Sequence, residues 1–359
     1  MRKRMVLKGS KMLASVVTLI LSLPAFSQGV SSPSQTEKVA ETIIKVNDYW
    51  QNHNTYKTSS FWNWAVYHTG NMEACKLFNN EIKTPAAKQK ANTWIAYSTA
   101  WAGYNKWSGA TEKDAAKWQY KQYSDDQQHV LFGDWQVCFQ TYLDLYSFVP
   151  AKKKVARAKE VMGHEADSEA NDYMWWVDAF YMVMPTLTKM YKLTGDTKYL
   201  DKLYDNIRYS DSIMLDKETG LYFRDMRFVY PKHKASNGDK DFWARGDGWA
   251  LAGLAKVLQD MPMTYPHYDF FVNRYRQLAH AVAVCQQPEG NWTRSMLDKD
   301  MAPGPETSGT ALFTYGLLWG INNALLSETD YLGTVSKAWT YLSHTARQTD
   351  GSVGYVQPM

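Results

Sequence analysis

Apolar residues recur every three or four positions along most of the chain, the spacing that places them on one face of an α-helix. In the first half, this pattern predicts helices over 38–50, 61–78, 85–106, 134–146 and 152–162. From residue 174 onward the pattern repeats as an apolar helix, a short junction and a more amphipathic helix. The three helical hairpins predicted in this way span 175–214, 248–286 and 310–345. Repeated hairpins without strand patterns predict an all-α fold.

The hairpins favour a closed ring, an (α/α) barrel, over an open array of helices. The first helix of each hairpin is apolar enough to be surrounded by other helices, as the inner layer of a barrel requires. The loops before these helices carry the unusual residues Trp175, Asp178, Trp243, Arg245 and Thr307. In a ring those loops converge at one mouth, so we expect a single pocket there.

The aromatic content is high, because 15 Trp and 24 Tyr in 359 residues exceed what a core needs. Such an excess is common in carbohydrate-active proteins. The net charge of +4 is mild for this length, and no dense stripe of Lys and Arg occurs. These features indicate that nucleic acid is not a partner.

Neither the eight histidines nor the three cysteines show the spacing of a metal site or of a disulfide framework. The sequence also lacks a GxxxxGK phosphate loop and a Gly-x-Ser-x-Gly nucleophile elbow. We therefore predict catalysis without a metal ion or another cofactor. The cysteines are expected to be small buried residues.

The N-terminus has the pattern of a secretion signal. A basic start is followed by an apolar run over 12–26 that is short for a membrane-spanning helix. Ala25 and Ser27 are spaced for a signal peptidase, which predicts cleavage between Ser27 and Gln28. We thus expect a signal peptide over 1–27 and one barrel domain over 28–359. The mature protein would be periplasmic or secreted, without stable membrane insertion.

A single carboxylate lies in the apolar, aromatic stretch Met174–Pro185. Asp178 is flanked by Trp175, Trp176 and Tyr181, so it should lose solvation, which raises a carboxyl pKa and suits a proton donor near neutral pH. The aromatic side chains, Trp176 among them, suit stacking on a sugar ring. The alternative is structural, with Asp178 capping the following helix.

Three further stretches have both a functional and a structural interpretation. Asp134 is either a second carboxylate of the site or a helix cap. Trp243 and Arg245 suit ring stacking and carboxylate binding, but Arg245 could instead tie its glycine-rich loop to carbonyl groups. Thr307 is a candidate substrate contact in a polar loop, 306–313, for which capping of the next helix is the favoured interpretation.

Several motifs in order resemble glycoside hydrolase family 105, a relative of family 88, and the similarity covers about 134 to the end of the chain. They are WWVDAFYMVMP (175–185), KLTGDTKYLD (192–201), FWARGDGWALAGLAKVL (242–258), ETSGTALFTYG (306–316) and DGSVGYVQP (350–358). The resemblance implies an (α/α)6 barrel. It also implies hydration of the C4=C5 bond in a terminal unsaturated uronic acid, on oligosaccharides left by a polysaccharide lyase.

By this resemblance Asp178 donates the proton and then activates water, Asp134 supports it, and Trp243 and Arg245 bind the substrate. Where some relatives have a histidine, this chain offers Arg224 and Arg227, which favours an acidic substrate. Relatives often carry two adjacent acids where this chain has one. Relatives also continue beyond the position of residue 359, so the barrel could lack its last helix.

Two other functions fit the same sequence. A conventional inverting glycosidase would use two carboxyl groups separated by enough space for a water molecule. A non-catalytic glycan-binding protein would use the aromatic side chains without turnover. Product analysis separates the first from the hydration reaction, and turnover of any unsaturated oligosaccharide separates the second.

Overall fold

The computed structural model describes residues 34–357, and this part of the chain is helical throughout its core. The predicted signal peptide lies outside the described residues. The helices are α1 Gln35–His53, α2 Trp62–Leu77, α3 Pro85–Tyr104, α4 Gly133–Gln136, α5 Cys138–Phe148, α6 Ala156–Asp167, α7 Ala179–Met182, α8 Met184–Thr194, α9 Lys198–Met214, α10 Ala244–Asp260, α11 Tyr268–Ala283, α12 Thr307–Asn322 and α13 Glu328–Tyr341.

The helices form two layers, as the hydrophobic pattern predicts. Neighbouring inner helices follow the order α2, α5, α8, α10 and α12, and α1, α3, α6, α9, α11 and α13 lie outside them. Burial separates the layers, because fifteen of the 17 residues of α10 are buried but only three of the 14 in α13. A helix that is buried all round must be apolar all round, whereas a surface helix needs only one apolar face. The all-α barrel prediction is confirmed.

Helix boundaries agree best where the local sequence decides them. The structure places α9 at the predicted residues, Lys198–Met214. Gly195 ends α8 in the left-handed conformation, with φ of 76°, which glycine adopts without steric cost. At the start of α3, Thr84 accepts the backbone N–H of Ala87, and Pro85 occupies the first turn, where its missing N–H costs nothing.

The helix predicted to begin at Trp175 begins four residues later. Trp176 pairs with Asp225 as an antiparallel bridge, and the Val177 N–H donates to the Arg224 carbonyl at 2.9 Å. This pairing holds the residues before α7 in an extended conformation. A partner almost 50 residues away in sequence thus overrides a helical pattern.

A proline divides this helix again, between α7 and α8. Pro185 has no N–H to donate to the carbonyl of Tyr181, four residues earlier. The side-chain amide of Gln140, on the neighbouring helix α5, donates to that carbonyl instead, at 2.7 Å. The Tyr181 carbonyl therefore keeps a hydrogen-bond partner across the break, and Asp178 stands at the head of a separate single turn.

The amino ends of the inner helices and the loops before them meet at one end of the barrel, which we call the mouth. Short backbone bridges join these loops, for example between Trp243 and Ser295 and between Trp176 and Asp225. The mouth is where the sequence predicted convergence. None of the helices between residues 34 and 357 is long and apolar enough to cross a membrane.

Candidate active site

Two carboxyl groups lie at the mouth on neighbouring inner elements. Asp134 is in the first turn of α4 and is 2% exposed, and Asp178 immediately precedes α7 and is half-buried. The Oδ2 atom of each is enclosed and accepts no hydrogen bond from the described part of the chain. Neither side chain makes a capping bond to its helix. Capping therefore does not explain why these acids are buried.

Burial raises the pKa of both carboxyl groups. The pKa of Asp178 rises to about 6, mainly through burial, while the charges of Arg224 and Arg245 oppose the rise. Burial and then the charge of Asp178 raise the pKa of Asp134 well above its usual range. The charge of Asp178 disfavours ionisation of Asp134 because like charges repel.

Two guanidinium groups lie around the indole ring of Trp243. The Cζ atom of Arg245 is 4.9 Å from the centre of this ring, and that of Arg224 is 5.9 Å from it. Arg224 is exposed and also lies over Phe228, at 5.0 Å. Both positive charges act on Asp178. The three predicted binding residues Trp243, Arg245 and Arg224 are therefore brought together beside the predicted acid.

Arg245 also contacts the C-terminal segment. Its Nη1 atom donates to the Gln357 carbonyl at 3.0 Å, and the Trp243 indole donates to the Gln357 side-chain oxygen at 2.8 Å. Arg245 is only 7% exposed, so burial lowers its pKa, and the charges of Glu306 and Asp178 oppose this. The Arg245 side chain thus both binds a carbonyl of the C-terminal segment and lies beside the predicted acid.

Thr307 is more enclosed than its predicted role as a substrate contact requires. Its hydroxyl is 2% exposed, donates to the Gly354 carbonyl at 2.8 Å and lies 2.8 Å from the Tyr341 hydroxyl. Its N–H donates to the Tyr355 carbonyl. The neighbouring Glu306 caps α12 through the N–H groups of Ser308 and Gly309. Thr307 therefore fastens the C-terminal segment, as the structural interpretation of this loop expects, and a substrate contact for it stays a prediction.

Trp176 is also more enclosed than its predicted role requires. It is 4% exposed and stacks on Phe132, with ring centres 4.7 Å apart. Its neighbour Trp175 is half-buried and donates from its indole to the Tyr120 carbonyl. Trp176 forms the wall behind Asp134 and Asp178, and a direct sugar contact for it stays a prediction.

Two further buried acids, Asp225 and Asp247, were not among the predicted site residues. Asp225 is buried and binds the Arg227 guanidinium through both oxygens, at 2.8 and 2.9 Å, and its charge raises the pKa of Asp178. Asp247 accepts the Tyr222 N–H at 2.9 Å, and burial raises its pKa well above the usual range. Asp247 lies inside the motif of residues 242–258, but its partner is 25 residues away in sequence.

Metal ligands are not grouped in the described part of the chain. Between residues 34 and 357, His, Cys, Asp and Glu side chains form no set of three or more that could hold a metal ion. Cys75, Cys138 and Cys285 are buried thiols, as expected. The absence of a cofactor stays a prediction.

Comparison with known proteins gives a consistent family. The model of Glycosyl Hydrolase Family 88 matches residues 35–359. A curated "Unsaturated 3S-rhamnoglycuronyl hydrolase" of an Alteromonas species (strain LOR) is 28% identical over 97% of this chain and 90% of its own length. A protein of the same name from Formosa agariphila is 38% identical, but the alignment spans 51% of this chain and 49% of that relative.

Solved structures are closer in sequence. A family 88 glycosyl hydrolase from Bacteroides vulgatus is 50% identical, with a TM-score of 0.85, over 90% of this chain and 89% of that one. A structure described as a polysaccharide lyase is 53% identical, with the same TM-score, over 91% and 89%.

The family match and the curated relatives support hydrolysis of oligosaccharides that carry an unsaturated uronic acid. The prediction of a glycoside hydrolase is thereby confirmed. With a family match over nine-tenths of its length and the helical barrel of its structural neighbours, the chain belongs to glycosyl hydrolase family 88.

Proposed function

We propose that this protein hydrates the C4=C5 bond of a terminal unsaturated uronic acid and thereby releases the neighbouring sugar of a lyase-generated oligosaccharide. One observation carries the proposal. Two carboxyl groups with enclosed Oδ2 atoms, Asp134 and Asp178, lie beside the two guanidinium groups at Trp243. The pair offers a proton donor, and the guanidinium groups offer a site for the carboxylate of the substrate.

The proton comes from Asp178 in this mechanism. The C4=C5 bond is a vinyl ether, so a proton added at C4 uses the π electron pair and leaves a cation at C5 that the ring oxygen stabilises. Water adds at C5 and gives its proton to the Asp178 carboxylate. The resulting hemiketal opens to a ketone at C5. The hemiacetal left at C1 then expels the neighbouring sugar.

Substrate binding would favour the protonated form of Asp178. A guanidinium pairs with a carboxylate through parallel hydrogen bonds, and Arg245 and Arg224 are placed for this. In the free protein, their charges hold the Asp178 pKa down. A bound uronate would offset these charges, so the pKa of Asp178 would rise and the acid would be protonated when the substrate is present.

Asp134 has a different role in the same mechanism. Because burial and the charge of Asp178 favour its protonated form, Asp134 can donate a hydrogen bond to a sugar hydroxyl or to the attacking water. Asp134 is thus a positioning group that contacts the reacting atoms.

The test is the direction of the ultraviolet absorbance change of the conjugated C4=C5 bond. Unsaturated oligosaccharides, prepared by lyase digestion of several acidic polysaccharides, are incubated with the protein, and the absorbance should fall as the released sugar appears. An inverting glycosidase would release sugar without this fall. Binding without turnover on any digest would indicate a glycan-binding protein.

A second candidate is polysaccharide lyase activity, since a structure described in that way is 53% identical. A lyase forms the C4=C5 bond and therefore raises the absorbance of an intact polysaccharide. Both assays use the same wavelength, so one protein sample decides between them. A rise on intact polymer with no fall on the digests would contradict hydration.

We also propose that the mature protein works in the periplasm or outside the cell. The basic start and the apolar run before Ser27 support this. Mass spectrometry of protein secreted by its natural host should show an N-terminus at Gln28. A mature protein that still begins at Met1 would contradict the proposal.

A further inference from the structure

A long loop over 105–132, between α3 and α4, reaches across the mouth and is fixed there. Within the loop, the Gln119 N–H donates to the Gln128 carbonyl at 2.9 Å, and the Leu131 N–H donates to the Gln119 carbonyl at 3.1 Å. The Tyr120 hydroxyl donates to Asp172 at 2.6 Å, and the Tyr120 carbonyl accepts from Trp175. These bonds join the loop to the strand-like residues before Asp178.

Tyr123 lies at the exposed side of this loop. Its side chain is 54% exposed, and its ring meets the edge of Phe132 with centres 5.5 Å apart. Phe132 lies two residues before Asp134 and stacks on Trp176, which lies two residues before Asp178. The Tyr123 ring is therefore one aromatic layer away from both carboxyl-bearing turns.

The hydroxyl of Tyr123 is oriented by Trp62. The indole N–H at the start of α2 donates to the Tyr123 oxygen at 3.0 Å. An indole nitrogen can only donate, so the phenol must be the acceptor and its own proton points elsewhere. Among residues 34–357, no acceptor for that proton is within hydrogen-bonding distance. A large, exposed phenol with one fixed bond and one proton to offer thus lies one aromatic ring away from the turns that carry the two acids.

The charges of the site reach this phenol. Burial is the main reason that its pKa is raised, and the negative charges of Asp134 and Asp178 add to the rise, while Arg224 opposes it. The phenol thus shares one electrostatic environment with the acid pair. Trp243 and Arg245, at the start of α10, flank the acids from the other side, because α4 and α7 lie between α2 and α10 in the ring.

We propose that Tyr123, held by Trp62, donates a hydrogen bond to the sugar that neighbours the unsaturated uronic acid and so selects the leaving sugar. The proposal rests on the proposed function, since Arg245 and Trp243 occupy the side assigned to the uronate. A phenol suits a sugar unit, because its ring packs on C–H groups while its hydroxyl donates to a ring oxygen or hydroxyl. No role in proton transfer is assigned to Tyr123.

The experiment compares two substrates that differ only in the leaving group. One is an unsaturated disaccharide, and the other is the methyl glycoside of the same unsaturated uronic acid, which has no neighbouring sugar. Tyr123→Phe keeps the ring and removes the hydroxyl. We expect a roughly five- to tenfold lower kcat/KM on the disaccharide, mostly through KM, which is the effect of one neutral hydrogen bond. The methyl glycoside should be consumed at the wild-type rate.

Trp62→Phe tests the orienting bond. It should change kcat/KM in the same direction but less, and the double variant should be no worse than Tyr123→Phe alone, because both changes act through one hydroxyl. Tyr331→Phe, in the outer helix α13, is the control that changes a remote tyrosine. Thermal unfolding of Tyr123→Phe should match the wild type, since the ring that it keeps makes the packing contact.

Three results decide the matter. A Tyr123→Phe protein with wild-type kinetics on both substrates contradicts the role of Tyr123 and leaves the proposed function intact. An equal loss on both substrates also contradicts it, because Tyr123 would then act on the uronate side. A wild-type protein that consumes neither substrate contradicts the proposed function itself.

Discussion

The two ends of the barrel treat buried carboxyl groups in opposite ways. At the mouth, burial raises the pKa values of Asp134 and Asp178. At the other end, Glu73 near the end of α2 and Asp144 in α5 lie among lysines. Burial would raise their pKa values too, but the lysine charges outweigh it and hold both below the usual range.

The ion pairs of this closed end link four inner helices. Lys256 of α10 binds Glu73 of α2 at 2.8 Å, and Lys189 of α8 binds Asp144 of α5 at 2.7 Å. Further bonds of this network are Lys76 to Glu73 and Asp144, and Lys189 and Lys192 to Asp260. The barrel separates the groups that hold it together from the groups that react.

Replacing Asp178 should remove most of the activity at the mouth and leave the ion pairs of the closed end intact. Asp178→Asn can still accept and donate hydrogen bonds but cannot deliver a proton, so kcat should fall about 10²–10⁴-fold. Steady-state kinetics on an unsaturated disaccharide measures this. A folded variant with near-normal turnover would contradict the mechanism.

The pH dependence of stability provides a second test of Asp178→Asn. The native-state pKa of Asp178 is raised, so the folded protein binds more protons than the unfolded chain between the ordinary Asp value of about 3.9 and a pH of about 6. This contribution is present at low pH and is lost as the pH rises through that window. Asp178→Asn has no carboxyl group at this position, so its thermal unfolding should not show this decrease in stability as the pH rises.

Removing a lysine of the closed end should instead lower stability and leave activity unchanged. Lys256→Met leaves Glu73, whose side chain is 26% exposed, with Lys76 as its remaining partner, which should cost about 1–3 kcal/mol of unfolding free energy. Denaturant unfolding measures the loss, and kcat of the folded fraction should not change. The double variant Lys256→Met, Glu73→Gln should recover part of the stability, because no uncompensated charge is left. A single variant as stable as the wild type would contradict the contrast between the ends.

Arg245 is proposed to bind the substrate carboxylate, and it also binds a carbonyl of the C-terminal segment. Arg245→Lys keeps the charge but loses the planar fork, so kcat/KM should fall by an amount worth about 1.5–3 kcal/mol. The bond to the Gln357 carbonyl predicts a small decrease in Tm as well. Arg274→Lys, at the Asp211 pair between α9 and α11, is the matched control and should lower Tm alone. A destabilised Arg245→Lys protein with unaltered kcat/KM would make Arg245 purely structural.

The smallest effect concerns the pH profile. Since Asp178 acts as its protonated form, kcat/KM should fall as the pH rises past about 6. Arg224→Gln removes a charge that lowers this pKa, so the fall should begin at a higher pH. Arg224→Lys keeps the charge and should keep the wild-type profile. An unshifted pH profile for Arg224→Gln would show that the Arg224 charge does not affect the pKa of Asp178.

Features set by neighbouring residues were predictable from the sequence. The amphipathic spacing defines α9, and the motif around Trp243 and Arg245 marks the mouth. Features set by distant residues were not. The strand-like pairing that delays α7 needs residues 224–225, and the bond that fastens Thr307 needs Gly354. The network of the closed end needs Lys256 to meet Glu73, 183 residues apart, and no periodicity records such a meeting.

The single turns that carry the two acids affect how this site could change over evolution. In a continuous helix, the direction of Asp178 would be set by the residues below it in its own helix. Here the helix is broken at Pro185, so residues of adjacent helices set the direction of Asp178. Gln140 binds the Tyr181 carbonyl, and Gly253 packs so closely that a Cβ atom there would come within 2.5 Å of the Phe180 carbonyl. A substitution in an adjacent helix could thus re-aim the acid while its own motif stays unchanged. New substrates could be acquired through residues that never touch them.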